Sequence, residues 1–420
     1  MSFLLGRIPR FSPSFSIAEA LTAARYLSRD GDEVAVVRRF EGEFATFIGA
    51  KHAVMVPSAR YGFHLLLKCW GFGAGDEVII PALTYFAIPA LAKATGVKPV
   101  FADIGATSHV LDPAAFEAAI TENTRAVVPT HLFGTPCDMD AIRAIADKHG
   151  IKVIEDCAQS TGARYKGARV GQLGDAAYYT FGLTKNITTL SGAMVTTDDD
   201  ALAEKLRAEA EAGGFLDKSK PAKEAVTGLA MFFATHPKIY PLTLAPVIKW
   251  GNKLGDDPLH ERFGEAERTY DTVPAYYRDA RPGAAQAAVG RLQLQRIDQL
   301  NGSRARNGRF LDENLANVAG LTCPTYPEGA EPIYMSFVVH HKDREELGDA
   351  LRARGVDNTI GYMSNCADSP LFPEDRASCP NAEQAFAELL HIPVHPNLDD
   401  RDLRHICEAI RSACLELSRG

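Results

Sequence analysis

The chain has 420 residues, 46% hydrophobic and 23% charged, a composition typical of a folded protein with more than one domain. Its formal net charge of −8 argues against nucleic-acid binding, and no run of about 20 apolar residues is present to span a membrane. The eight cysteines are scattered without CxxC or Cys/His metal spacing, which indicates reduced thiols. The apolar run before Pro9 is too short for a signal peptide, so we predict a cytoplasmic protein.

The N-terminal half of the chain alternates between short apolar strands and helices, after a helical pattern over residues 14–50. The predicted strands are Ala53–Pro57, Glu77–Pro81, Val97–Asp103, Arg125–Thr130, Ile151–Glu155, Ala176–Phe181 and Ala193–Thr197. The predicted helices are Tyr61–Trp70, Phe86–Thr95, Pro113–Ile120, Asp138–His149 and Ala201–Ala212. Because nearly continuous apolar strands alternate with helices, we predict an α/β fold with a mostly parallel, seven-stranded sheet flanked by helices.

The C-terminal half is predicted to contain interface helices and a smaller α/β domain. Residues 213–272 mix large apolar residues with prolines and lysines, and the prolines exclude one long helix. The elements predicted after them are helices Arg281–Asn301 and Ser303–Val318, strand Tyr334–His340, helix Arg344–Arg354, strand Val356–Ile360 and helix Asp400–Leu417. We therefore predict a large domain over residues 1–275, with an atypical insertion at 213–272, and a second unit over residues 276–420.

Two charged residues follow predicted strands of the large domain. Asp156 ends the apolar run that begins at Ile151, and Lys185 follows the run Ala176–Phe181. Ligands of parallel sheets bind outside the carboxyl ends of the strands, so both side chains are placed for chemistry. The structural alternative is a helix-capping aspartate and a surface lysine.

The residues at these strand ends match the needs of a pyridoxal phosphate site. This cofactor requires an amine for a Schiff base, a carboxylate that keeps the ring nitrogen protonated, an aromatic plane and donors for the phosphate. Lys185 can supply the amine, Asp156 the carboxylate and Tyr85 the aromatic ring. The turn Ser58–Ala59–Arg60 opens a helix and Thr180 offers a hydroxyl, so both are predicted to bind the phosphate.

Three stretches of the sequence resemble the DegT-type sugar aminotransferases, a family of fold-type I pyridoxal phosphate enzymes. They are GAGDEVIIPALTYFAIPALAKATGVKPVFADI, AITENTRAVVPTHLFGTPCDMDAIRAIADKHGIKVIEDCAQSTGARYKG and GDAAYYTFGLTKNITTLSGAMVTTDD. The most specific part is EDxAQ together with TF…TKN. The resemblance covers roughly residues 30–210 and 279–400. It implies a homodimeric, pyridoxal phosphate-dependent aminotransferase whose cofactor lies near the subunit interface.

The resemblance also implies a role for single residues. Lys185 matches the Schiff-base lysine, and Asp156 matches the partner of the pyridine nitrogen. Gln159 matches a residue near the phenolic oxygen of the ring, and Tyr85 matches the aromatic residue that stacks on it. Thr180 matches a phosphate-binding serine.

The phosphate end of the predicted site departs from the family pattern at two positions. Ala59 and Arg60 replace a Gly-Thr pair that binds the phosphate, and Asp279 replaces an asparagine that reaches it from the second subunit. A carboxylate repels a phosphate, whereas a guanidinium attracts it and can bind either group. We hypothesise that Arg60 compensates for Asp279 across the dimer interface; the alternative is that one of them points away.

The resemblance implies transfer of an amino group from glutamate to a keto-sugar, with a nucleotide-linked sugar as the expected substrate. Some relatives carry histidine at the position of Lys185 and catalyse dehydration, so the lysine favours amino transfer. The alternatives are another pyridoxal phosphate reaction or transamination of a non-sugar ketone, and a non-catalytic regulator that retains the fold. A third alternative, a nicotinamide dehydrogenase, needs a glycine fingerprint that the sequence lacks. For the insertion at 213–272 the alternatives are a lid, a dimer extension, a surface for a membrane or a lipid-like substrate, and additional core.

Overall fold

The structure, a computed structural model, describes residues 8–28, 31–236, 238–254, 267–274, 280–361 and 363–419. It begins with two helices, α1 (Ile17–Leu27) and α2 (Glu33–Ile48). The helical pattern predicted for residues 14–50 corresponds to these two helices, because Ser16 and Asp32 each cap a separate helix by accepting a backbone N–H in its first turn. The domain boundary predicted between residues 275 and 276 lies outside the described residues and stays a prediction.

A seven-stranded sheet forms the centre of the large domain, as the sequence predicted. Its strands in chain order are β1 (His52–Val56), β2 (Glu77–Pro81), β3 (Lys98–Ala102), β4 (Thr124–Val127), β5 (Lys152–Asp156), β6 (Ala176–Thr180) and β7 (Ala193–Thr197). Their order across the sheet is β1-β7-β6-β5-β4-β2-β3. Only β7 runs antiparallel to its neighbours, so the carboxyl ends of the other six strands meet at one edge.

Helices cover both faces of this sheet. Those of the large domain are α3 (Ala59–Trp70), α4 (Ala87–Thr95), α5 (Pro113–Ala118), α6 (Met139–His149) and α7 (Asp200–Ala212). Strand β2 is buried along its whole length, with Val78 and Ile80 in the core on one face and Ile79 in the core on the other. Alternation of this kind follows from the two-residue period of a strand. Gly62 lets α3 approach the sheet, because a Cβ there would lie 2.7 Å from Val195 Cγ2.

The insertion and the C-terminal half are mainly helical. The helices are α8 (Ser219–Ala234), α9 (Leu244–Leu254), α10 (Ala284–Leu294), α11 (Ile297–Leu315), α12 (Arg344–Ala353), α13 (Pro380–Glu388) and α14 (Asp400–Leu417). The helix predicted over Arg281–Asn301 is wrong in its bounds. One helix ends at Leu294 and the next begins at Ile297, and Gly302 lies inside that second helix, α11. No helix in the described part of the chain is both long and apolar enough to cross a bilayer.

The small C-terminal sheet differs from its prediction. It pairs β8 (Phe337–His340) with β9 (Leu389–Ile392) in antiparallel register. The strand predicted for Val356–Ile360 is wrong, since Val356 and Thr359 make only isolated bridges. Strand β9 was missed because Pro393 follows it directly and gives the stretch the pattern of a loop.

All eight cysteines lie within the described ranges and are free thiols. Most are buried in the core, as in the pair Cys407 and Cys414 on the inner face of α14. Burial raises the pKa of the Cys407 thiol to about 11, so it is protonated at neutral pH. These cysteines therefore contribute packing to the core.

Two buried histidines, His109 and His395, should make the stability of the fold sensitive to acid. Burial lowers the pKa of His395 to about 3, with a further contribution from the charge of Arg304, and burial lowers that of His109 to about 3. The unfolded chain has ordinary histidine pKa values, so it binds more protons than the folded chain below about pH 6.5. We expect the free energy of unfolding to fall as the pH drops from 7 to 5, by roughly 2 kcal/mol per histidine.

Chemical denaturation between pH 5 and 7 would measure this loss. The variant His395→Gln should flatten the pH dependence, even though it loses the bond from Nε2 to the Pro9 carbonyl (3.2 Å). The matched control is His149→Gln at the exposed end of α6, which should keep the full slope. An unchanged slope in His395→Gln would contradict the assignment.

Candidate active site

The carboxyl edge of the sheet brings the predicted site residues together. Val56 at the end of β1 and Thr180 at the end of β6 both pair with Ala193, the first residue of β7. Asp156 at the end of β5 pairs with Tyr178 of β6. The ends of β1 and β6 therefore lie at one level of the sheet, and the end of β5 lies level with a residue two positions before the end of β6.

Asp156 is a buried carboxylate, with only 5% of its surface exposed. Its Oδ1 accepts a hydrogen bond of 2.9 Å from the backbone N–H of Ala158. Burial raises the pKa of Asp156, and the Ala158 hydrogen bond and the positive charge of Lys185 oppose that rise. A cationic ligand group placed against this carboxylate would stabilise its ionised form.

Lys185 lies in the connection between β6 and β7 and is half-buried. Burial lowers its pKa from the ordinary lysine value, the charge of Asp156 opposes this, and the charge of Arg60 adds to it. The amine is therefore within electrostatic reach of both residues. A lowered pKa increases the neutral fraction of the amine, the form that acts as a nucleophile or a base.

Asn186 holds the connection that carries Lys185. Its side chain is 1% exposed, and its Nδ2 donates to the Thr161 carbonyl at 2.7 Å and to Asn301 Oδ1 at 3.2 Å. Asn301 Nδ2 also donates to the Thr161 carbonyl, at 3.0 Å. The sequence showed Asn186 only as a polar neighbour of Lys185; its anchoring role depends on the approach of α11.

We expect Asn186→Ala to reduce activity by misplacing Lys185. Loss of a buried pair of hydrogen bonds should also lower the free energy of unfolding by about 2 kcal/mol. Steady-state kinetics and thermal unfolding, compared with the exposed-site variant Asn317→Ala, would measure both effects. If the kinetics were unchanged, Asn186 would be only a stabilising residue.

The first turn of α3 forms the other end of the site. Ser58 is the N-cap residue and its Oγ accepts the N–H of Tyr61 at 3.2 Å. A helix provides no carbonyl of its own for the remaining amides of its first turn, which include those of Ala59 and Arg60, and such amides favour anions. Thr180 lies at the same sheet edge, one strand away. These four residues are thus grouped as a phosphate site requires.

A cavity of about 240 Å³ has Tyr85 on its wall. Gln159 is joined to the same wall: its Oε1 accepts the N–H of Phe133 at 3.0 Å, and its Nε2 contacts Met363 Sδ at 3.7 Å. Both Phe133 and Met363 line the cavity. Residues of the small unit thus close one side of a pocket built on the large sheet.

His391 of β9 also lines the cavity, although the sequence did not predict it as a site residue. Its Nδ1 is hydrogen-bonded to Ser336 Oγ at 2.6 Å, and the edge of its ring meets Phe133 with 5.0 Å between centroids. Burial lowers the pKa of His391 to about 4, so the ring is neutral at pH 7. It lies in the stretch HIPVHPNL, whose two prolines give it the pattern of a loop.

His131, which follows the predicted strand Arg125–Thr130, is a fully buried residue with hydrogen-bonded neighbours in the core. Its Nε2 is 3.0 Å from Glu155 Oε2, and its Nδ1 accepts the N–H of Cys137 at 3.0 Å. Glu155 is fully buried and also accepts the N–H groups of three loop residues, at 2.6 to 2.7 Å; these are Gly171, Leu173 and Gly174. The pair therefore organises the loop before β6.

Asp279 lies outside the described residues. Its place relative to Arg60, and with it the compensation hypothesis, stays a prediction. The electrostatic effect of Arg60 on Lys185 shows only that this guanidinium is near the amine.

The residues of the site fit pyridoxal phosphate by their chemistry. Asp156 is a buried carboxylate that can accept a hydrogen bond from the protonated ring nitrogen, and Lys185 is an amine with a lowered pKa. Tyr85 borders the cavity, and Gln159 contacts two residues of its wall. The start of α3 and Arg60 provide donors and positive charge for the phosphate. Amine, carboxylate, aromatic ring and anion site occur together at one sheet edge.

Comparisons with known proteins point to the same class of enzyme. The chain is 32% identical over 400 residues to dTDP-3-amino-3,4,6-trideoxy-alpha-D-glucose transaminase from Streptomyces venezuelae, covering 94% of this chain and 90% of the relative. It is 31% identical over 385 residues to the spore coat polysaccharide biosynthesis protein SpsC from Bacillus subtilis, covering 89% of this chain and 88% of the relative.

Solved structures agree with the fold. The structure of S. venezuelae DesV in complex with a ketimine intermediate matches with a TM-score of 0.74 and 30% identity, over 94% of each chain. An aminotransferase from Psychrobacter cryohalolentis matches with a TM-score of 0.78 and 27% identity, over 97% of this chain and 99% of the other. The predicted fold and the predicted aminotransferase class are confirmed.

The family profile described as "DegT/DnrJ/EryC1/StrS aminotransferase family" matches residues 17–232 and 274–411, most of the chain. This match agrees with the motifs around Asp156 and Lys185. The chain therefore belongs to the DegT/DnrJ/EryC1/StrS aminotransferase family.

Proposed function

We propose that this protein transfers an amino group from glutamate to a keto-sugar carried on a nucleotide, with pyridoxal phosphate as its cofactor. The observation that carries the proposal is the placement of Lys185 and Asp156 at one sheet edge, within electrostatic reach of each other. The relative from S. venezuelae, which is named as a transaminase of a dTDP-linked aminosugar, supports the substrate class. We further propose a cytoplasmic homodimer.

In this proposal Lys185 acts as covalent anchor and as acid and base. When bound, the cofactor supplies an electron sink for the carbon that bears the amino group. The Nζ of Lys185, whose pKa is lowered, would take a proton from that carbon and return one. Asp156 would hold a proton on the ring nitrogen, since its buried carboxylate is fixed by the Ala158 N–H.

The other residues bind and orient. Tyr85 would stack on the ring, and Gln159, which is fixed by its contacts with Phe133 and Met363, would hold the ring's oxygen side. Ser58, Ala59, Arg60 and Thr180 would bind the phosphate. The small unit covers the cavity and limits access of water to the reacting carbon.

A substrate screen tests the proposal. Nucleotide-linked keto-sugars and simple ketones would be offered with glutamate, and conversion between the two cofactor forms would be followed by absorbance. We expect turnover with a nucleotide-linked keto-sugar. Turnover with free ketones alone would support the second candidate, a non-sugar ketone; the apolar residues on the cavity wall, among them Phe86, Ile360 and Leu389, favour that candidate.

The variant Arg60→Thr tests the phosphate end of the site. Loss of one guanidinium should weaken the affinity for pyridoxal phosphate by roughly tenfold, as expected for one charge-assisted contact. It should also raise the pKa of Lys185, since the charge of Arg60 contributes to lowering it. Equilibrium dialysis and the pH dependence of lysine modification in the cofactor-free protein would measure these effects.

The matched control is Arg125→Thr, which removes a surface guanidinium paired with Asp76. Unchanged cofactor affinity in Arg60→Thr would remove Arg60 from the phosphate site. If Asp279→Asn raised affinity at the same time, the compensation hypothesis would be wrong as well.

A further inference from the structure

The segment Lys218–Leu254 differs from the rest of the chain in charge. It contains six lysines and a single acidic residue, Glu224, so it carries +5 and leaves −13 for the rest of a chain whose net charge is −8. Its second half also lies outside the family pattern, since the family profile leaves residues 233–273 unmatched. An added basic segment on an acidic protein indicates a function of its own.

The inner face of this segment is anchored to the body of the protein. Gly228 of α8 faces Phe15, and a Cβ there would lie 2.8 Å from the Phe15 ring. Tyr240, between α8 and α9, is 2% exposed, and its hydroxyl donates to Asp357 at 2.9 Å. Asp357 in turn binds Arg10 in a buried ion pair of 2.9 Å. The segment thus has a fixed orientation on the molecule.

The outer face is also apolar, although it is exposed. Leu242 and Trp250 are 76% and 68% exposed, far more than large apolar side chains that pack within a domain. Together with four other exposed residues they form what we name the outer apolar face: Val226, Phe233, Ile239, Leu242, Val247 and Trp250. Val226 and Phe233 are seven residues apart on α8, two helical turns, so they share one side of that helix.

A helix that is apolar on both sides requires a second partner for its outer side. Lysines accompany the outer apolar face: Lys223 precedes Val226 by one helical turn, and Lys220, Lys223 and Lys238 are exposed. Exposed lysines next to exposed tryptophan, phenylalanine and leucine are typical of surfaces that bind the interface of an anionic bilayer. The apolar side chains enter the headgroup region, and the lysines pair with lipid phosphates.

A second copy of the chain is a poorer match to this face. If this face lay on a two-fold axis it would meet its own copy, so two segments of +5 would be brought together. An anionic bilayer has the opposite charge and accepts apolar side chains at the same time. We propose that the outer apolar face docks this aminotransferase on the surface of an anionic bilayer.

Vesicle flotation tests the proposal with the full-length holoenzyme. We expect binding to vesicles of mixed phosphatidylglycerol and phosphatidylcholine, weaker binding to phosphatidylcholine alone, and release at high salt. The triple variant Leu242→Ser, Val247→Ser, Trp250→Ser should lower the partition coefficient by about tenfold or more. The triple variant Lys220→Glu, Lys223→Glu, Lys238→Glu should lower it by roughly a hundredfold or more.

Trp250 provides a direct readout, since the chain has only two tryptophans, Trp70 and Trp250. In a Trp70→Phe background, emission of Trp250 should shift to shorter wavelength with anionic vesicles and be quenched by brominated lipid. The control variant is Leu415→Ser, which changes an apolar residue of 52% exposure outside this segment, on α14, and should bind vesicles as wild type does.

Three outcomes would overturn the proposal. They are no binding to anionic vesicles, unchanged binding of the serine triple variant, and a Trp250 emission that does not respond to vesicles. If the serine triple variant instead changed the oligomeric state in analytical ultracentrifugation without affecting vesicle binding, the face would be an interface between copies. Amino transfer by the triple variants in solution should stay at the wild-type rate, since none of their positions belongs to the site.

Discussion

Lys185→Ala is expected to abolish amino transfer. The variant loses both the covalent anchor and the group that moves the proton, so the rate should fall by roughly ten thousandfold or more. The fold should persist, because Lys185 is half-buried and its connection is held by Asn186. Steady-state kinetics with the best substrate of the screen would measure the loss.

Chemical trapping gives a second readout of Lys185 that does not depend on turnover. Borohydride reduction followed by peptide mapping should label Lys185 in the wild-type holoenzyme and leave the variant unlabelled. The matched control is Lys148→Ala, which removes a lysine with a 65% exposed side chain on α6 and should keep activity and labelling. Amino transfer at a normal rate in Lys185→Ala, or a label on another lysine, would show that the assignment is wrong.

The adjacent carboxylates Glu155 and Asp156 are expected to respond to substitution in opposite ways. Asp156→Asn should lower the turnover rate by roughly a hundred- to a thousandfold, because the charge that keeps the ring nitrogen protonated is lost. Its free energy of unfolding should not fall in the cofactor-free protein. Burial raises the pKa of Asp156, so the ionised carboxylate destabilises that protein at neutral pH and the neutral amide does not.

Glu155→Gln should leave the chemistry largely intact and weaken the fold. Its carboxylate accepts three backbone N–H groups, and an amide NH₂ would face at least one of those donors. An unsatisfied buried donor should lower the free energy of unfolding by about 3 kcal/mol. Equilibrium denaturation and kinetics normalised to folded protein would separate the two variants. If Asp156→Asn were as active as Glu155→Gln, Asp156 would not be the partner of the ring nitrogen.

Most of the large domain was predictable from local sequence because its strands are buried on both faces. Strand β2, Glu77–Pro81, is a continuous apolar run and was predicted with its observed bounds. Asp156 and Lys185 could be singled out because polar residues directly after such runs lie at the ligand-binding edge of a parallel sheet. The family motifs then assigned them roles, which the experiments above would test.

Contacts between distant segments were not predictable in this way. The strand Leu389–Ile392 was missed, and with it His391, because a short apolar run before a proline has no period that separates strand from loop. Asn186 and Asn301 are 115 residues apart, and only the packing of α11 against the loop after β6 brings their side chains together. The hydrogen bond from Tyr240 to Asp357, which orients the insertion, likewise joins residues that are far apart in the sequence and could not be predicted from local patterns.

The sequence by itself determined the alternation of strands and helices, the family and the candidate amine and carboxylate, since these follow from local patterns of apolar and polar residues. Only the tertiary structure decided which residues from separate elements close the cavity around Tyr85. It also decided which side of α8 and α9 packs inward and which stays exposed. Burial of a face depends on what the rest of the chain places against it, and no local pattern carries that information.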